Sequence, residues 1–260
     1  SASNSFAGIS DTTSLSFTTA DIIAPSLSSS TPADNATSIA IGSNIVLNFS
    51  EAVDVESGNI TIKKSSDNST IETIDVTSNQ VTGSGTSTIT INPSSDLSSS
   101  TEYYVQIDAT AFDDSASNSF AGISDTTSFS FTTADIIAPS LSSSTPADNA
   151  TSIAVGSNII LNFSEAVDVE SGNITIKKSS DDSTIETIDV TSNQVTGSGT
   201  STITINPSSD LSSSTEYYVQ IDATAFDDSA SNSFAGISDT TSFSFTTADI
   251  IAPSLSSSTP

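Results

Sequence analysis

The chain has no cysteine, histidine, arginine, methionine or tryptophan, and only four lysines among its 260 residues. Each absence removes a kind of chemistry. Without cysteine there is neither a disulfide framework nor a thiolate zinc site. Without histidine or cysteine the commonest nucleophile–base pairs cannot be built, and nothing is placed to activate the many Ser and Thr hydroxyls. Adjacent acids such as Asp113 and Asp114 lack by themselves the geometry of a glycosidase pair. The chain reads as a non-enzyme. Without tryptophan it also lacks the usual platform for stacking on sugars. Lys63, Lys64, Lys177 and Lys178 face 31 acidic residues, for a net charge of −27. Phosphate backbones and anionic membranes repel such a chain, so nucleic acid is excluded as a partner. Helical periodicity, a membrane-length apolar run and a leader or lipidation motif are all missing, so no direct membrane insertion is expected of this segment.

What is present is repetition. SASNSFAGISDTTS begins at Ser1, Ser115 and Ser229, and DIIAPSLSSSTP begins at Asp21, Asp135 and Asp249. A shift of 114 aligns 146 residues with four differences: Leu15/Phe129, Ile41/Val155, Val46/Ile160 and Asn68/Asp182. Three exchange one apolar residue for another, as a packed interior tolerates. A period this long is a whole small domain rather than a solenoid unit. The expected division is residues 1–20 as the C-terminal part of a preceding repeat, 21–134 and 135–248 as complete repeats, and 249–260 as the first strand of a following one. The chain starts without Met and stops inside a repeat, as a segment of a longer array would. A unit of this size can bury a core without disulfides or metals. Ser, Thr, Asp and Asn richness combined with tandem repetition favours an exported bacterial protein over a cytosolic enzyme.

Within 21–134, short apolar runs alternate with polar residues between turn signals. SLSSSTP at 26–32 predicts a first strand ended by Pro32 and the turn Ala33-Asp34-Asn35. SNIVLNFS at 43–50 turns Ile45, Leu47 and Phe49 inward and leaves Val46 outside. NITIKK at 59–64 and TIETIDV at 70–76 follow, and Gly83-Ser84-Gly85 reverses the chain into Ile89 and Ile91. TEYYVQID at 101–108 puts Tyr103, Val105 and Ile107 on one face, with Tyr104 facing the other way as the candidate for outward contacts. TSFSFTT at 127–133 puts Phe129 and Phe131 inward and Ser128, Ser130 and Thr132 outward. Lys63 and Lys64 are expected at a strand end, relieving an edge. Seven or eight such strands predict an all-β fold: tandem immunoglobulin-like β-sandwich domains of about 114 residues joined end to end. Tyr103 and Tyr217 fit the core or corner tyrosines of that architecture.

PSLSSSTPADNATSIAIGSNIVLNFSEAVD, TITINPSSDLSSSTEYYVQIDATAFDD and FSFTTAD together resemble the SbsA-like bacterial Ig-like domain. Its spaced prolines, its F-S-E-x-V segment, its leucine-to-tyrosine approach and its closing F-x-F-T-T are present in each complete unit. Where the family commonly has D-x-x-G-N before the last strand, the run Asp113-Asp114-Ser115-Ala116-Ser117-Asn118 lacks the Gly. The resemblance implies tandem domains of large surface or secreted bacterial proteins, such as S-layer components and adhesin stalks.

The acids concentrate in three segments. SEAVDVESGN, taken as a loop, carries Glu51, Asp54 and Glu56; FDDSASNSFAGISD carries Asp113, Asp114 and Asp125; the entering linker carries Asp21. In an Ig-like order all three meet where the chain enters the domain. The second repeat offers Asp135, Glu165, Asp168, Glu170, Asp227, Asp228 and Asp239. Such a set suits calcium, which takes six to eight oxygens at about 2.3–2.6 Å. The same residues also serve as ordinary turn and cap acids, and no contiguous calcium-loop signature occurs, so both readings stand here. The functional expectation is an extracellular or cell-surface structural array, an adhesin stalk or extender whose partners are the neighbouring repeats of its own chain. Two alternatives remain: a self-assembling fibre or layer with identical chains as partners, and a carbohydrate- or ice-binding repeat whose outward Ser/Thr ladders touch the ligand.

Overall fold

The computed structural model describes residues 7–13 and 15–254. The chain divides into two compact units, Ser1–Ala134 and Asp135–Pro260. Of residues 249–260, expected as the first strand of a following repeat, 249–254 hold no strand and 255–260 lie outside the described residues, as do residues 1–6 and Ser14. No helix occurs among the described residues, and so none is long and apolar enough to cross a membrane.

In the first unit, alternating apolar residues build two sheets around one core. β1 (Leu27–Thr31), β3 (Ile45–Val55), β7 (Thr86–Ile91) and β6 (Val81–Thr82) lie side by side in that order, and β9 (Phe112–Asp113) pairs with the far end of β3. The facing sheet runs β2 (Ala36–Ile39), β10 (Ser130–Thr133), β8 (Glu102–Ile107), β4 (Asn59–Lys64), β5 (Thr70–Asp75). Ile45, Leu47 and Phe49 from one sheet meet Ile60, Ile62, Tyr103, Val105, Ile107, Phe129 and Phe131 from the other in a single core. The chain leaves β1 at Pro32, and β2 then crosses to the second sheet to run parallel with β10. The second unit repeats the same ten strands in the same order, from Leu141–Thr145 to Ser244–Thr247.

Several expectations change. The segment read as a loop, Glu51–Val55, is the second half of an 11-residue β3; Val53 and Val55 continue its apolar pattern past a register shift after Asn48. β2 and the short β6 and β9 are additional to the expected strands. Lys63 and Lys64 do not relieve an edge, because β4 lies between β8 and β5. Tyr104 points away from the core yet is only 3% exposed, since its hydroxyl donates to Asn68 Oδ1 at 3.1 Å and the β4–β5 loop covers it. Asp182 accepts the same bond from Tyr218, and Lys177 Nζ sits 5.9 Å from that ring's centroid. Ser130 is likewise turned away from the core but covered, because Asp34 Oδ1 accepts from both its N–H and its hydroxyl. That breaks the Ser128–Ser130–Thr132 ladder as a ligand face.

Tyr103 anchors the corner before β8. Its ring is buried and its hydroxyl oxygen accepts the Ser98 N–H at 2.9 Å; Tyr217 does the same with Ser212. A phenylalanine keeps the packing but strands that amide, so Tyr103→Phe combined with Tyr217→Phe is expected to destabilise each repeat by about 1 kcal/mol. Urea titration should show a lower midpoint with an unchanged slope; an unchanged midpoint would mean water satisfies the amide equally well.

Candidate metal centre

An aromatic cluster sets up the acidic site. Phe49 packs on Phe112 at 5.3 Å between centroids and edge-on against Phe120 at 5.2 Å. Phe49 lies two residues before Glu51, and the other two rings bracket the Asp113–Ser119 loop, which the Phe120 N–H closes onto the Phe112 carbonyl at 2.9 Å. Burial of these three rings therefore fixes both the strand carrying Glu51 and the loop carrying Asp114.

Within that loop Asp114 is 4% exposed. Its Oδ1 accepts the N–H groups of Ala116 and Asn118 at 2.8 Å each, and its Oδ2 accepts Asn118 Nδ2–H at 2.8 Å. Asn118 Nδ2 also donates to the backbone carbonyl of Asp21 at 3.3 Å, tying the entering linker to the loop. Ser117 takes φ +66°, so it occupies the left-handed position where D-x-x-G-N has glycine. The loop keeps its turn without the Gly, at a conformational cost of about 1 kcal/mol.

One carboxylate oxygen from each of Asp21, Glu51 and Asp114 lies within 4.8 Å of the other two; Asp135, Glu165 and Asp228 form the same group in the second repeat. Oxygens bound to one calcium at ~2.3–2.6 Å are at most about 5 Å apart across the ion, so the spacing fits. Three carboxylates would leave the remaining positions to carbonyls or water. The other candidates stand elsewhere. Asp54 in β3 pairs with Asp113 in β9, and Asp54 Oδ1 accepts the Ser84 hydroxyl at 3.4 Å; Asp168 and Asp227 pair likewise. Glu56 and Glu170 are exposed just beyond the long strand. Asp125 and Asp239 cap their own turns, accepting from Thr127 and Ser128 and from Thr241 and Ser242. Asn118 and Asn232 were missed as participants; the D-x-x-x-N spacing within the loop was the available signal.

Titration follows from these contacts. The Ser128 hydroxyl, then the backbone N–H groups of Thr127 and Ser128, hold Asp125 far below the usual carboxylate range. The Asn118 side chain and backbone lower Asp114. For Asp228 burial pushes upward, but bonds from Asn232 and Ala230 outweigh it and leave the group lowered. Glu165 is raised, first by burial and then by the charges of Asp135 and Asp228. A carboxyl raised in the folded state binds its proton more tightly there than in the unfolded chain. Ionised Glu165 therefore subtracts stability above its folded pKa, and the loss disappears as pH falls below the unfolded value. Glu165→Gln in chelator is expected to raise the melting temperature of the second repeat at neutral pH and leave it unchanged in acid. A lower melting temperature at neutral pH would contradict mutual repulsion within the trio.

The sequence profile of the bacterial Ig-like domain matches residues 21–133 and again 135–247. No curated protein matches the chain. Among solved structures, the N-terminal part of the bacterial S-layer protein SbsC is similar over 83% of this chain and 43% of its own, at 14% identity and a TM-score of 0.31. The BSP domain of a biofilm-associated protein is similar over 84% of this chain and 29% of its own, at 13% identity and a TM-score of 0.23. The FN1–FN3 domains of chicken CNTN1 are similar over 86% and 67%, at 12% identity and a TM-score of 0.26. This chain spans less than half the length of the SbsC and biofilm-associated chains it matches.

Proposed function

We propose that this chain, which belongs to the bacterial Ig-like domain family, is a structural tandem-repeat segment of a long extracellular bacterial surface protein, stiffened by calcium where each repeat is entered. The observation that carries this reading is the pair of near-identical, independently cored units, each with the same acidic trio at its entrance. Identical beads give length and spacing rather than a private ligand for each, and a family of structural domains suits a chain lacking the usual catalytic groups. Each unit contains one complete repeat, 21–134 or 135–248, with the boundary at Ala134/Asp135.

The role of calcium follows from connectivity. Asp135 comes directly after Ala134, the last residue of the preceding repeat, whereas Glu165 and Asp228 belong to the body of the following one. An ion shared by the three would fasten the linker to the domain it enters and neutralise three crowded negative charges. Without it, their repulsion favours release of the linker. Affinity in the range of ~10⁻⁴–10⁻³ M suits the calcium levels met by extracellular modules.

Small-angle scattering and thermal unfolding with millimolar calcium, and again with excess chelator, test this. The expected result is a stiffer particle with a higher melting temperature in calcium, an effect lost in Asp21→Asn combined with Asp135→Asn. Superimposable curves would remove calcium from the account and leave the acids as turn caps and solvated surface.

A further inference from the structure

In each repeat the outer face of the first sheet is uncharged over the stretch away from Asp54 and Asp113. Pairing sets Thr31, Val46, Thr90 and Thr82 in a row across β1, β3, β7 and β6, all turned away from the core. Beside it runs a second row, Ser29–Asn48–Thr88, joined by Asn48 Nδ2–H to Ser29 Oγ at 3.1 Å and by the Thr88 hydroxyl to Asn48 Oδ1 at 3.0 Å. The second repeat reproduces both rows, with Ile160 in place of Val46. Residues 21–134 contain 14 acids, yet none lies in these rows. Asp54 stands near the far end of β3, and Asp96 stands beside Gly42, ahead of its start. The opposite outer face differs: it carries Lys63, Asp75 and Glu102.

We propose that this uncharged face is where two copies of the chain associate laterally. The inference rests on the structural-array reading and adds to it a self-contact and its location. With a net charge of −27, two chains repel wherever acids oppose acids; these rows can meet without setting acid against acid. The face is also pre-ordered. Thr and Val are restricted at χ1, and the Ser–Asn–Thr bonds hold the second row, so little side-chain freedom is lost on docking. A half-buried valine or isoleucine lies in the four-strand row, where contact would remove it from water.

Size decides the valency. Three strands contributing about 15 Å each and the two-residue β6 about 7 Å, roughly 4.8 Å apart, give roughly 250 Å² per repeat. A single pair of repeats would bury roughly 500 Å², below the ~1,200 Å² of a stable interface; two such contacts, one per repeat, bring the total to about 1,000 Å², the low end for a specific interface. Association is therefore multivalent and rises steeply with repeat number. Salt strengthens it, because screening removes the long-range repulsion while the contact itself has no ion pairs to weaken.

Sedimentation equilibrium of the 260-residue chain in chelator, at low and high sodium chloride, tests the proposal. Mass should rise with protein concentration and more strongly at high salt. Val46→Glu with Ile160→Glu should weaken association by roughly a hundredfold or more, since each contact then opposes like charges. Thr90→Glu with Thr204→Glu should act similarly without touching the half-buried apolar position, and unfolding curves confirm that each variant folds. Thr73→Glu with Thr187→Glu, on the opposite face, should associate as the parent does. A chain monomeric at every salt and concentration overturns the proposal, as does association that needs calcium or survives the face substitutions. Scattering on the monomer at low salt tests the array reading separately, so the two can fail independently.

Discussion

The arrangement depends first on Phe49. Its ring sits between Phe112 and Phe120, joining the middle of the longest strand to a loop more than 60 residues further along the chain. That contact carries β9 onto the end of β3 and sets the Asp114 loop beside Glu51. Removing water from three aromatic rings is one of the larger single gains available to a domain this size. It also explains how crowded carboxylates are tolerated: the apolar contact beneath them, rather than any attraction between them, holds the loop in place.

Acid is the chain's second theme, and the structure uses it in two ways. Asp67, Asp75 and Asp125 each accept bonds from a backbone N–H and a hydroxyl two or three residues on, which keeps all three ionised and locks their turns. The entrance trio is different, because three carboxylates converge on one point. Four lysines in 260 residues cannot neutralise 31 acids. Most of that charge stays in solvent at loops and sheet ends, which leaves the rows through Val46 and Asn48 free of it.

Alternation made the core legible. Ile45, Leu47, Phe49, Val105, Phe129 and Phe131 are inward as their spacing requires. Alternation assigns a side chain to a face, however, and does not reveal what covers that face. Tyr104 and Ser130 were placed on the outer side correctly but are buried there by the Asn68 loop and by Asp34. The second half of β3 was hidden because Glu51, Asp54 and Glu56 look like a loop, while the pairing that makes it a strand comes from Phe112 and Asp113, distant in sequence. At the site, clustering of Asp21, Glu51 and Asp114 could not be separated from their neighbours by residue type. Three-dimensional register chose them, and it left Asp54 opposite Asp113.

The closing strand shows how far local sequence falls short of specifying structure. SFTT is a strand at 130–133 and at 244–247, where it pairs with β2 and β8 of its own repeat or their counterparts; the same four residues at 16–19, with only 15 residues before them, lack those partners and form none. Phe131 is 2% exposed there, whereas Phe17 is 87% exposed. Because the three copies are interchangeable, no pairing code tells one domain's last strand from another's. The short tether from β8 to its own β10 favours the right copy, and order in time adds to it. During synthesis or export each domain presents β2 and β8 before its own β10 emerges, and the nearest copy of SFTT fills the slot while the next is still unmade. Identical beads refolded all at once therefore have more wrong ways to close than beads that fold one after another.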